Sequence, residues 1–117
     1  MPDAELVRVY SEHGTVEGLD LDEALELHLE ERGITEKHIV SFSEIREVFN
    51  GAPRFFANLP GRRAPLVMVG PTRENRILCV PIEPTTQRGV WRPVTAFTAN
   101  THHVERYRRE SGDERQI

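Results

Sequence analysis

The hydrophobic period of this chain changes at Pro53, and that switch limits the fold more than any other feature. Before it, apolar residues recur at helical spacing. After it, short runs rich in β-branched and aromatic residues sit between turn signals. A chain of 117 residues with 38% apolar content, written this way, has core material for a single α+β domain.

In the first part, Leu6–Tyr10 alternates weakly and reads as a short strand, with a loop over Gly14–Gly18. A helix is expected from Asp20 as N-cap. Glu23 stands at the third helical position, Leu21, Ala24, Leu25, His28 and Leu29 form one stripe, and Gly33 is the stop. Ile34–Ile39 reads as a helical turn capped by Thr35. The next helix is signalled more sharply. Ser41-Phe42-Ser43-Glu44 is a capping box, and Val40 and Ile45 make a hydrophobic staple. Ile45, Val48 and Phe49 supply a buried face, and Asn50-Gly51 ends it.

After Pro53, the segments Arg54–Asn58, Leu66–Gly70, Arg76–Glu83 and Val90–Thr98 read as strands. The turns between them are short, which favours an antiparallel β-meander of about four strands. Pro81 and Pro93 mark edges or bulges. A C-terminal helix is expected from about Thr101 to Arg109, with Val104 and Tyr107 inward. The expected architecture is N-terminal helices, the meander and a C-terminal helix, with the helices on one face of the sheet. Residues 1–110 form the domain and 111–117 a flexible tail.

Several classes of protein are disfavoured. The single cysteine, Cys79, excludes an intrachain disulfide and is expected to be buried mid-strand. The longest apolar runs, Leu66–Val69 and Ile77–Val80, are four residues each, too short to span a bilayer. The acidic N-terminus lacks the regions of a signal peptide, so a cytoplasmic protein with no membrane partner is expected. Neither CxxC, HExxH nor a phosphate-binding glycine loop is present, and no metal or cofactor is expected.

Charge is unevenly divided. Residues 1–50 hold 13 acids and 4 bases, whereas residues 51–117 hold 6 acids and 11 bases, all of them arginine. Arginine presents a planar, permanently charged fork that suits phosphate, and an ordinary solvated surface accounts for such clustering equally well.

Several segments in order resemble one family. Lys37-His38-Ile39-Val40-Ser41-Phe42-Ser43-Glu44 followed by Glu47-Val48-Phe49-Asn50, then Arg76-Ile77-Leu78-Cys79-Val80, then Trp91-Arg92-Pro93-Val94-Thr95-Ala96, and last Glu105-Arg106-Tyr107, resemble the BrnT ribonuclease toxins of type II toxin–antitoxin systems. The resemblance spans roughly residues 20–109. It departs from the family pattern at Asn75, where the family has glycine, and at Phe97, where it has a basic residue.

The resemblance implies a RelE-like fold and metal-independent RNA cleavage that inhibits translation, with the 2′-hydroxyl as nucleophile. It implies Arg76 and Arg92 on the phosphate, and Tyr107 and His38 in proton transfer or positioning. RNA and a cognate antitoxin are the implied partners, with DNA reached only through the antitoxin. The alternative is a non-catalytic protein- or nucleic-acid-binding module of the same fold, which the loss of a basic residue at Phe97 favours.

The strand reading adds its own constraint. A meander puts Arg76 and Arg92 roughly 20 Å apart, at opposite ends of paired strands. Arg62, Arg63 and Arg88 fall at the Arg92 end, and Arg54 and Arg73 at the Arg76 end. Arg62, Arg63 and Arg88, with Arg108 of the last helix, are the candidate RNA-binding residues.

Structural roles compete at each position. Arg92 can pair with Glu83, and Arg76 with Glu74 or an acid of the N-terminal helices. Tyr107 can be a core-edge aromatic and His38 part of a connecting turn. His28 reads as a core histidine. His102 and His103 open a helix, where the dipole disfavours a cationic ring, and read as structural or surface groups. Trp91 and Phe97, on one strand face, can stack bases or pack in the core.

Overall fold

The computed structural model describes residues 4–21, 40–59 and 61–112. In chain order the elements are α1 (Ala4–His13), β1 (Gly18–Leu19), α2 (Phe42–Asn50), β2 (Arg54–Ala57), β3 (Leu66–Pro71), β4 (Ile77–Pro84), β5 (Val90–Pro93), β6 (Phe97–Thr98) and α3 (Thr101–Gly112). The expected helix after Asp20, with His28, and the turn carrying His38 fall at 22–39, outside the described residues.

The strands form one mixed sheet in the order β1-β5-β4-β3-β2, with β6 beside β4. Strands β2 to β5 pair antiparallel in sequence order, and β1 adds parallel to β5. Alternation along β3 and β4 sends side chains to both faces, and both faces are covered. Leu66, Met68, Leu78, Val80, Ile82 and Trp91 pack with Val9 of α1 and with Phe42, Ile45 and Val48 of α2. Phe56, Val67, Val69 and Cys79 pack on the other face with Tyr107 of α3. The helices therefore sandwich the sheet instead of lying on one face. Strands β3 and β4 are apolar at consecutive positions because a strand buried on both sides needs that pattern.

The second helix of the sequence reading is α2, with its capping box in place. The Ser41 hydroxyl accepts from the Glu44 amide at 3.1 Å, and the Ser41 amide donates to the Glu44 carboxylate at 3.1 Å. Val40 and Ile45 are both buried in the same core.

Leu6–Tyr10 is not a strand but the middle of α1. Leu6, Val9, Tyr10 and His13 recur at helical spacing. Arg8 also bonds Glu5 and Glu12, one turn away on either side. Gly14, at φ +86°, ends this helix, and Gly89, also at +86°, donates its N–H to the His13 carbonyl.

Val90–Thr98 is likewise not one strand. β5 keeps the register Ile82↔Pro93 and Glu83↔Arg92, whereas β6 pairs Leu78↔Thr98 and Cys79↔Phe97, one residue out of step. The extra residue falls between Pro93 and Phe97, opposite Pro81, where neither proline can donate to the ladder. Because side chains alternate, this slip puts Trp91 and Phe97 on opposite faces. Trp91 is fully buried under α1, edge-on to His13, and Phe97 packs beside the α3 core. The last helix continues to Gly112, so residues 111–112 belong to it and not to a tail.

Among the described residues, no helix is long and apolar enough to cross a membrane.

Candidate nucleic-acid interface

The residues expected to act together on phosphate lie apart. Arg92 is the register partner of Glu83, seven positions along β4 from Arg76, a separation of roughly 24 Å. Arg76 faces α2, where its guanidinium meets Glu44 at 3.2 Å. Arg92 faces the α3 side and donates Nε to Glu83 at 2.7 Å. Tyr107 is 7% exposed, and its hydroxyl donates to the Ala52 carbonyl at 2.7 Å. His38 lies outside the described residues. Among the described residues, Arg76, Arg92 and Tyr107 thus each have an ion-pair or hydrogen-bond partner within the fold, and Arg76 and Arg92 stand on opposite faces of the sheet.

The acidic first half meets one end of the sheet. Besides the Glu44–Arg76 pair, Glu47 accepts the Arg73 amide at 3.1 Å. The turn there is fastened by buried Thr72, whose hydroxyl accepts the amides of Glu74 and Arg76. Asn75 in this turn has φ +66°, a left-handed conformation that asparagine tolerates.

The other end is different. Between the start of α3 and the sheet lies an open concavity of about 610 Å³. Its floor is apolar, with Phe56, Val67, Pro81 and Phe97. Its cationic lining is Arg62, Arg63 and Arg106, with His102 and His103 beside them. The described lining residues include no carboxylate. Leu59 also lines it and is 65% exposed, a large apolar side chain left open to solvent at a binding-sized hollow.

The local sequence explains the placement. Phe55 and Phe56 are consecutive on a strand, so one enters the α1–α2 core and the other must face α3. Arg106 then lies over the Phe56 ring, 4.1 Å from its centroid, held by cation–π attraction. The loop bearing Arg62 and Arg63 is tied by Asn58, which donates its side-chain amide to the Ala64 carbonyl and its backbone amide to that of Pro65. Arg63 in turn grips Glu83 with two hydrogen bonds of 2.9 Å.

At the mouth of α3, the Asn100 side-chain oxygen accepts the His103 backbone N–H at 2.9 Å, as an N-cap does. The same oxygen lies 3.0 Å from His103 Nδ1. An amide oxygen can only accept, so Nδ1 carries the proton of the neutral ring and Nε2 holds the lone pair. Burial, then His102 and Arg106, push the His103 pKa below its usual value and favour that neutral ring.

The remaining residues expected to touch RNA divide. Arg62 and Arg63 line the concavity. Arg88 does not: it donates to the Ser11 and Glu12 carbonyls, where a cation suits the C-terminal end of α1. Arg108 is exposed on α3 and is not among the lining residues. Cys79 is buried as expected, and burial pushes its thiol up to about 12, leaving it inert.

The sequence reading missed Arg106, His102, His103 and Asn100 as site residues. The signal was the one-turn spacing of His102 and Arg106 combined with a second phenylalanine that could not fit the main core. Comparison with protein-family models, with curated proteins and with solved structures finds no match.

Proposed function

We propose that this domain binds single-stranded RNA in the concavity between α3 and the sheet. The observation that carries this reading is an apolar floor ringed by Arg62, Arg63, Arg106, His102 and His103, with no carboxylate among the described lining residues. Cations track a phosphate backbone, and an apolar or guanidinium-covered floor accepts unpaired bases of any sequence. A duplex keeps its bases stacked inside and cannot use such a floor.

The test is fluorescence anisotropy with a labelled single-stranded oligoribonucleotide across a salt series. Arg62→Ala and Arg106→Ala are each expected to weaken binding and to lower the salt slope by about 0.7 for each phosphate that is no longer neutralised. Arg76→Ala and Arg108→Ala leave affinity unchanged. Equal affinity for wild type and the Arg62/Arg106 double variant contradicts the proposal.

A second reading is a toxin-like endoribonuclease restrained by an antitoxin. The observation that favours it is His103, held in one tautomer by Asn100 beside three arginines. In this reading His103 Nε2 removes the 2′-hydroxyl proton, the 2′-oxygen bonds phosphorus, and the 5′-oxygen leaves with a proton from His102 or water. Intact RNA after long incubation with wild-type protein that binds it excludes this second reading.

A further inference from the structure

An acid stands where an RNA-binding surface is expected to exclude one. Glu83 is on β4 beside the concavity, and its side chain is only 12% exposed. It accepts Arg63 Nε and Nη2, both at 2.9 Å, and Arg92 Nε at 2.7 Å. Arg63 comes from the β2–β3 loop and Arg92 from β5, so three segments meet on one carboxylate. The two guanidinium groups, Arg63 first, hold the Glu83 pKa below the usual glutamate value, so the group is ionised at neutral pH.

The geometry engages only part of each arginine. A guanidinium carries five N–H donors. Glu83 takes Nε from each arginine and Nη2 from Arg63, which among the described residues leaves Arg63 Nη1 and both terminal nitrogens of Arg92 for another acceptor. Those side chains are 68% and 46% exposed, within reach of a ligand in solvent. The trio keeps a net charge of +1. Without the carboxylate, two cations this close repel one another, and each must lose rotamer freedom before it can grip an anion.

We propose that Glu83 is a positioning residue that sets Arg63 and Arg92 as a two-armed clamp for one phosphodiester of the bound RNA, at the rim of the base-binding concavity that Arg63 lines. This rests on the RNA-binding reading above. It reverses the sign expected from charge alone. If Glu83 only diluted a basic surface, removing its charge would tighten binding. If it positions the clamp, removing its charge loosens binding.

The experiment measures anisotropy of a 5′-labelled single-stranded oligouridylate with the full chain, beside Glu83→Gln, Glu83→Asp and Arg92→Lys. Glu83→Gln is expected to bind roughly fivefold more weakly. Glu83→Asp, which keeps the charge, falls between. Arg92→Lys keeps its charge but loses the planar fork, and weakens binding as Glu83→Gln does. In an Arg63→Ala/Arg92→Ala background, Glu83→Gln has no further effect, which a general loss of fold would not reproduce.

Wild-type protein that fails to bind RNA overturns the binding reading and the clamp together. Wild-type binding with equal or tighter binding by folded Glu83→Gln overturns the clamp alone. Should Glu83→Gln not fold, Arg92→Lys decides, and wild-type affinity in that variant overturns the clamp.

Discussion

Tyr107→Phe separates a structural tyrosine from a catalytic one. The hydroxyl donates to the Ala52 carbonyl at 2.7 Å and ties α3 to the segment between α2 and β2. The ring is buried with Phe56, Val67, Val69 and Cys79, and phenylalanine keeps that packing. The substitution removes one hydrogen bond. Ala52 is an exposed residue, so water can take up its freed carbonyl, and the net value of a bond applies instead of a full desolvation penalty. That value is about 0.5–1.5 kcal/mol. With an unfolding entropy of about 2.1 cal/mol/K per residue, the change lowers Tm by roughly 2–6 °C. The assay is thermal unfolding by circular dichroism, paired with RNA binding well below the transition. The expected result is a lower Tm with unchanged affinity. An unchanged Tm with RNA binding or cleavage abolished would refute the structural assignment and return Tyr107 to the role the family resemblance implies.

Met68→Ala opens a cavity between α2 and the centre of the sheet, and is expected to cost about 2–5 kcal/mol, read as a lower urea midpoint with the slope unchanged. Asn75→Val forces a β-branched residue to φ +66° and is expected to cost about 1–2 kcal/mol, whereas Asn75→Gly is tolerated in the same denaturation assay. The folded His103 pKa lies below the ordinary value of 6.5, so its contribution to stability is full above that pH and is lost as pH falls through the folded value. His103→Gln is therefore expected to flatten the stability profile below about pH 6.5, as followed by Tm against pH. A profile unchanged by the substitution counts against that linkage.

Local chemistry was the most legible part of the sequence. The capping box at Ser41–Glu44 needs only four adjacent residues, and the strands after Pro53 carry their own alternation. The pairing of Arg92 with Glu83 followed from strand register, whereas for Arg76 charge left Glu74 and an acid of the N-terminal helices both open, and the structure gives it Glu44. Three features were hidden. Leu6–Tyr10 satisfies both a strand and a helix pattern, and the helix is the one that packs Leu6, Val9 and Tyr10 together on the core. The slip between Pro93 and Phe97 changes one residue of register and thereby moves Phe97 to the opposite face from Trp91. The concavity is assembled from four segments distant in the chain, so no single stretch of sequence shows its histidines beside its arginines. A ring beside a helix N-terminus does read as structural until Asn100 and the arginines of another loop are placed around it.

In the proposed binding mode RNA meets the α3 face at the Arg62 end of the sheet and not at the Arg76 end. Backbone amide shift mapping, with a short single-stranded oligoribonucleotide titrated into labelled protein, tests it most directly. RNA seated in the concavity shifts amides grouped at Phe56–Ala64, Val94–Phe97 and His102–Arg106, reaching Glu83 and Arg92, and leaves Thr72–Arg76 unmoved. Shifts centred on Thr72–Arg76 and α2, or none at saturating RNA, would contradict it.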